Sequence, residues 1–295
     1  MPTYSVTTIF YIILQSISLL LLLYLIFSIL TTKAHFTKWT MFQMLLSAFG
    51  NGLSALPPII MYGDDLSDRA FESSVCIISS KLANFTLYPL EFFALTIAFY
   101  LWHALVKKRL DIEKRTLIYF SGAIWGFTII YNIFEMARSS QKENWGVRTS
   151  LLNCKKTFSM QNVFGFLIPA SILVFITIIM ICHSSIILYE RWKNFNHNMN
   201  RTTAIKLGHA VRIYIMCITI IILSLLYIIP RIFHSNSLLT TVSSFASASI
   251  GIVTFLIFGT NRKAALFLPF FYYVPPDKTG NELLQDGEKE NTFNV

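Results

Sequence analysis

Four polar side chains set in one apolar run carry the first chemical signal of this sequence. Lys81, Asn84, Tyr88 and Glu91 follow one another at intervals of three, four and three residues. At about 100° per residue on a helix they share an arc of roughly 80°. An amine, an amide, a phenol and a carboxyl on one arc can hold a small polar molecule by charge and hydrogen bonds. Two readings of Glu91 stand side by side: a carboxylate that contacts a ligand or senses a proton, and a carboxyl hydrogen-bonded to a neighbouring helix, for instance to Asn51 or Ser54. Lys81 and Glu91 stand about 15 Å apart at 1.5 Å per residue, too far to pair directly.

Further polar positions lie in other apolar runs. Arg231, beside Pro230, is placed to meet an anionic group or a lipid phosphate. Ser243, Ser247 and Gly251 form a ridge of small residues at i, i+4 and i+8. Such a ridge lets helices approach closely, and its hydroxyls can wall a pocket. Glu135 and Arg138, at i and i+3, are expected to form a local ion pair. Pro57, Pro58, Pro89, Pro169 and Pro230 fall within apolar runs and are expected to permit kinks.

Catalysis finds no footing in the sequence. There is no His-Glu-x-x-His, no glycine-rich phosphate loop, no Gly-x-Ser-x-Gly and no intramembrane Asp pair, and the six histidines are scattered without metal spacing. No catalytic residue, metal or cofactor is therefore expected.

The elements that must position these residues are membrane spans. The chain is 54% hydrophobic and only 13% charged, whereas soluble domains carry about a quarter charged residues. The net charge of +9 does not imply nucleic acid, because Lys and Arg sit in short clusters between apolar runs. A bilayer core about 30 Å thick takes roughly 20 apolar residues per helix. Seven runs meet that length: 8–31, 39–61, 76–105, 116–138, 160–189, 207–233 and 240–259. The first is longer than a signal peptide's apolar core of about 7–15 residues, and it is expected to be retained. The seventh contains no lysine, which excludes a retinal Schiff base there. After it, residues 261–272 read as a short interfacial helix and 275–295 as a disordered polar tail.

Orientation follows from the basic residues. With the N-terminus outside, the inner segments hold Lys33, Lys38, Lys107, Lys108, Arg109, Lys114, Arg115, Arg191, Lys193, Arg201, Lys206, Arg262 and Lys263. The outer loops hold only Arg69, Lys142, Arg148, Lys155 and Lys156. The expected topology is N-terminus out and C-terminus in. It places Cys76 at the outer start of the third span and Cys154 in the second large outer loop. An oxidising compartment would let these two form a disulfide; the alternative is that all four cysteines are free. Cys182 and Cys217 lie deep in their spans and read as small packing residues.

Seven spans, an outer N-terminus, and this cysteine pair resemble the G-protein-coupled receptor superfamily along the whole chain. The rhodopsin-like Asp-Arg-Tyr is absent, since the inner end of the third span reads Tyr100-Leu101-Trp102-His103, and the seventh has no Asn-Pro-x-x-Tyr. A long third helix running into KKRLDIEKR, and a seventh ending in FGTNRK before a short apolar helix, are more similar to the cAMP-receptor-like and fungal nutrient-sensing branches. No activation switch is carried over. The resemblance implies a multi-pass plasma-membrane protein signalling to a heterotrimeric G protein, its basic inner rim being Lys107, Lys108, Arg109, Lys114, Arg115, Arg191, Lys193, Arg201, Lys206 and Arg212. Binding of anionic lipid explains part of that rim. With fewer than ten residues before the first run, recognition is expected to use loops and helix ends. The expected pocket is Lys81, Asn84, Tyr88 and Glu91, walled by Arg231, Ser243 and Ser247. Shallow Lys81 and Arg231 favour an anionic or phosphate-bearing ligand. The competing class is a small-solute transporter or channel, but the first three and last three spans show no repeat.

Overall fold

A computed structural model of the chain describes residues 3–31, 37–66, 73–107, 112–141, 143–149, 152–156, 168–195, 201–232 and 237–258. Among them are eight α-helices: α1 (Val6–Thr31), α2 (Lys38–Tyr62), α3 (Ser74–Lys107), α4 (Ile112–Ser139), α5 (Ile168–Phe195), α6 (Arg201–Ile232), α7 (Ser237–Ala248) and α8 (Ile250–Phe258). Six helical stretches are long and apolar enough to cross a membrane: Val6–Thr31, Lys38–Asp65, Ser74–Lys107, Ile112–Ser139, Ser171–Glu190 and Thr240–Phe258. The apolar part of α6, Ala210–Leu226, is shorter. The chain is an α-helical membrane protein.

Helix α3 is the hub. Of its apolar span 56% is buried, against 17% for α4 at the periphery. Leu90, Phe93, Ala94, Ile97, Ala98, Leu101 and Leu105 of α3 form the middle of the main core. Around them pack Leu22, Leu25 and Ile26 of α1, Met41, Met44, Leu45 and Ala48 of α2, Ile181 of α5, and Ile213, Met216, Cys217 and Ile220 of α6. With lipid outside, association of these helices rests on packing and hydrogen bonds rather than on exclusion of water.

Polar groups join the helices in two layers. At one end, the buried Glu113 carboxylate of α4 accepts from Thr40 N at 3.0 Å and Thr40 Oγ1 at 2.8 Å, so it serves an amide in the first turn of α2 that has no partner within its helix. Nearby, Tyr100 and Thr116 share a hydrogen bond of 2.9 Å, Trp102 Nε1 donates to His183 Nδ1 at 3.0 Å, and Ser185 and Tyr214 share one of 2.6 Å. At the other end, Tyr4 OH donates to Ile60 O at 2.6 Å and Thr8 Oγ1 to Asp64 Oδ1 at 2.6 Å.

Three features differ from the sequence reading. The expected span 240–259 consists of two helices that meet at Ser249, where the Gly251 amide donates to Ser18 Oγ of α1 at 2.8 Å. A hairpin of β1 (Val147–Thr149) and β2 (Cys154–Lys156) stands between α4 and α5, with Thr149 opposite Cys154; strands of three residues are too short to show an alternating pattern. Pro169 falls in the first turn of α5, where its missing N–H breaks no helical bond. Residues 160–167 of the expected fifth span, the interfacial helix at 261–272 and the tail at 275–295 lie outside the described residues.

Candidate functional site

Cys76, in the first turn of α3, is disulfide-bonded to Cys154, the first residue of β2. The bond ties the hairpin across the end of the bundle, where Leu66, Cys76, Val147 and Cys154 form a small buried cluster. Beneath it lies a cavity of about 110 Å³. Asn153 and Cys154 of the hairpin line it, together with Tyr11 of α1, Asn51, Ser54 and Ala55 of α2, and Ile220, Leu223 and Ser224 of α6. Helix α3 contributes Ser79, Ser80, Ala83, Asn84, Leu87, Leu90 and Glu91, while Ser243, Ser244, Ser247 and Ile250 close the α7–α8 side.

The α3 stripe divides between two neighbours. Asn84 and Glu91 line the cavity. Lys81 and Tyr88 turn instead to α4. Lys81 is buried, and its ammonium donates to Glu135 Oε1 at 2.8 Å, Ser139 Oγ at 2.7 Å and Trp145 O at 3.4 Å. The Tyr88 ring lies 4.7 Å from Tyr131 and 6.2 Å from Phe127, centroid to centroid. Helical geometry accounts for the split. Residues seven apart differ by only about 20° in azimuth, so Lys81 with Tyr88, and Asn84 with Glu91, occupy two sectors roughly 60° apart. On a helix packed on all sides, that angle separates one neighbour from the next.

Of the expected pocket, Asn84, Glu91, Ser243 and Ser247 therefore come together, and Lys81 and Tyr88 do not. Arg231 lies in α6, its side chain outside the described residues. The expectation of an anionic ligand loses its footing at Lys81, whose charge is matched by Glu135. The described wall holds one carboxyl group and no Lys, Arg or His.

The internal bonds of the cavity leave some polar atoms unserved. Ser54 Oγ donates to Asn51 O at 2.6 Å, Ser79 Oγ donates to Ser54 O, and Asn153 Nδ2 donates to Ser244 Oγ at 3.3 Å. Asn84 Nδ2 and Asn153 Oδ1 are buried without a hydrogen-bond partner among the described residues. A second, smaller cavity of about 20 Å³ lies against Leu173, Val174 and Thr177 of α5, and Glu91, Ile220 and Ser224 line both spaces. Glu91 thus stands between the larger cavity and the seam of α3, α5 and α6.

Several wall residues escaped the sequence reading. Ser224 stands as one hydroxyl in the run IIILSLL, and Ser79 and Ser80 open α3 with a polar pair. Asn153 reaches the cavity only through the disulfide next to it, which no linear pattern displays.

The basic residues of the expected inner rim fall at one end of the described bundle, opposite the disulfide. Lys107 ends α3, Lys114 and Arg115 lie in the first turns of α4, and Lys193 lies in the last turn of α5; all four are exposed. Arg212 of α6 is half-buried. Arg191, Arg201 and Lys206 lie in α5 and α6 with side chains outside the described residues, and Lys108 and Arg109 lie outside them altogether. No family model matches the sequence, and no curated protein matches it significantly.

Proposed function

We propose that the chain is a seven-helix receptor of the G-protein-coupled type, which takes a small ligand into the cavity beneath the hairpin and signals to a heterotrimeric G protein at the opposite end. In this reading α6 and the α7–α8 pair are the sixth and seventh spans, the N-terminus and hairpin face outward, and the membrane is the plasma membrane. The observation that carries it is the cavity: a space within the bundle where serine, asparagine and glutamate side chains converge among apolar ones, roofed by a disulfide-tethered hairpin, with Glu91 shared between it and the α3–α5–α6 seam. Polar groups facing lipid are costly, and their convergence on one space inside the bundle marks a place of function. The exposed bases at the far end supply a surface for an acidic transducer and for anionic lipid.

The test is a panel of small metabolites applied to cells that express the chain with a promiscuous G protein. Ligand-dependent dissociation of the G protein is the expected outcome. Accumulation of a metabolite by proteoliposomes that hold the pure chain, without any effect on a G protein, would replace the receptor reading with that of a carrier.

A further inference from the structure

Two asparagine amides set the chemistry of what enters the cavity. Asn84 Nδ2 lacks an acceptor and Asn153 Oδ1 lacks a donor among the described residues, and both atoms are buried. Asn84 extends from α3 and Asn153 from the hairpin, so they stand on different walls of one space. The Asn153 amide is oriented by its own Nδ2, which donates to Ser244 Oγ at 3.3 Å. A buried polar atom without a partner is costly, and a purely apolar occupant would leave both atoms unserved. A hydroxyl group donates and accepts, so the hydroxyls of one molecule can serve both amides. Charge finds no such match. The Glu91 carboxyl already interacts within the protein, and the described wall holds no Lys, Arg or His. An ion of either sign would give up its water there without an idle counter-charge in the described wall, a heavy cost at low dielectric constant.

The lining and the size narrow the choice. Serine hydroxyls surround the same space from three helices, with Ser80 on α3, Ser224 on α6 and Ser247 on α7. Several hydroxyls on one ligand can meet them in place of the water they displace. A cavity of about 150 Å³ is known to hold benzene, so the volume of about 110 Å³ here suits about half a dozen non-hydrogen atoms. A three-carbon polyol has that size, whereas a hexose has about twice as many atoms. Resting on the receptor reading above, we propose that the ligand is a small uncharged polyol, of about three carbons, whose hydroxyls bond to Asn84 and Asn153.

The probes are glycerol, its charged counterparts aminopropanediol and glycerate, and the larger polyol sorbitol. Each is titrated at millimolar concentration, in polyol-free buffer, into the purified full chain in lipid nanodiscs while thermal unfolding is followed. Sorbitol measures the general stabilisation that any osmolyte gives, which does not saturate in this range. Glycerol is expected to raise the midpoint saturably, and the two charged compounds to do no more than sorbitol. Asn84→Ala should weaken the apparent affinity for glycerol severalfold, the worth of one lost hydrogen bond. Asn153→Ala should do the same, and it decides the matter if Asn84→Ala fails to fold. No saturable shift with glycerol overturns the polyol assignment, because the amides would then serve water alone. A saturable shift with sorbitol, or with either charged compound at or below the glycerol concentration, overturns it too, as does an undiminished glycerol response in Asn84→Ala. Binding is read here without a G protein. A chain that ignores glycerol yet releases a G protein for another metabolite sinks the polyol alone, whereas a chain that binds glycerol but never releases a G protein fails as a receptor.

Discussion

A buried lysine in a membrane span can serve a ligand or the fold, and its nearest neighbours decide which. Lys81 has a carboxylate at 2.8 Å, a hydroxyl at 2.7 Å and a backbone carbonyl at 3.4 Å, so its ammonium donors are occupied within the protein. Removing one partner of such a pair strands the other in a medium that cannot solvate it, at a cost of about 3–5 kcal/mol; replacing both by apolar residues of similar volume is near neutral. Lys81→Ala should therefore lower the unfolding free energy by about that amount, and Lys81→Met combined with Glu135→Leu should recover most of it. Denaturation of the purified chain and its variants measures both. An intact stability in Lys81→Ala would mean that the pair contributes nothing and that the lysine is free for other work. The intervals of three, four and three residues correctly placed four polar groups on one arc of α3. They could not assign them to neighbours, because azimuth along a helix carries no information on what packs against each sector. The partner of Lys81 is 54 residues away in sequence.

Among the elements, the hairpin and the α7–α8 junction carry the strongest expectations. The Cys76–Cys154 link closes a loop of 78 residues and holds the cavity roof. Without reductant, both thiols should resist alkylation while Cys182, exposed on α5, reacts in detergent. Replacing both bridged cysteines by serine should cost about 2–4 kcal/mol. Alkylation of Cys76 and Cys154 in the intact, unreduced protein would contradict the roof. Two glycines give a graded comparison. A Cβ at Gly251 would collide with the backbone of Ser18, whereas at Gly52 it would meet the side chains of Gln15 and Leu19, which can move. Gly251→Ala should thus be the more damaging, by about 1–3 kcal/mol, the usual range for overpacking; a thermal midpoint lowered equally by Gly52→Ala would refute the distinction. The close approach at Gly251 was legible because it shares a face with Ser243 and Ser247 at i, i+4 and i+8, although those two serines line the cavity instead. The break at Ser249 was not, since it accompanies a hydrogen bond from Gly251 to a hydroxyl 233 positions earlier.

For the molecule as a whole, length and apolarity made the spans legible, and six helical stretches satisfy them in the structure. Which end faces the cytoplasm is an expectation from the distribution of bases. An epitope before α1 should be accessible on intact cells and one after residue 295 should not; the reverse labelling would invert the molecule and remove the receptor reading. Replacing Lys107, Lys114, Arg115 and Lys193 by Gln should lower G-protein activation at unchanged surface level. Equal activation would reduce those exposed bases to contacts with lipid.

The most direct test of the account links the cavity to signalling in one experiment. Cells displaying the chain, or its Ser247→Trp variant with the cavity filled, or Val242→Trp on the exposed face of the same helix, are given the metabolite panel while G-protein dissociation is recorded. At least one metabolite should trigger dissociation through the unmutated chain and Val242→Trp, and Ser247→Trp at equal surface level should abolish the response. A response undiminished in Ser247→Trp, or no dissociation for any metabolite while the reconstituted chain transports one of them, would contradict it.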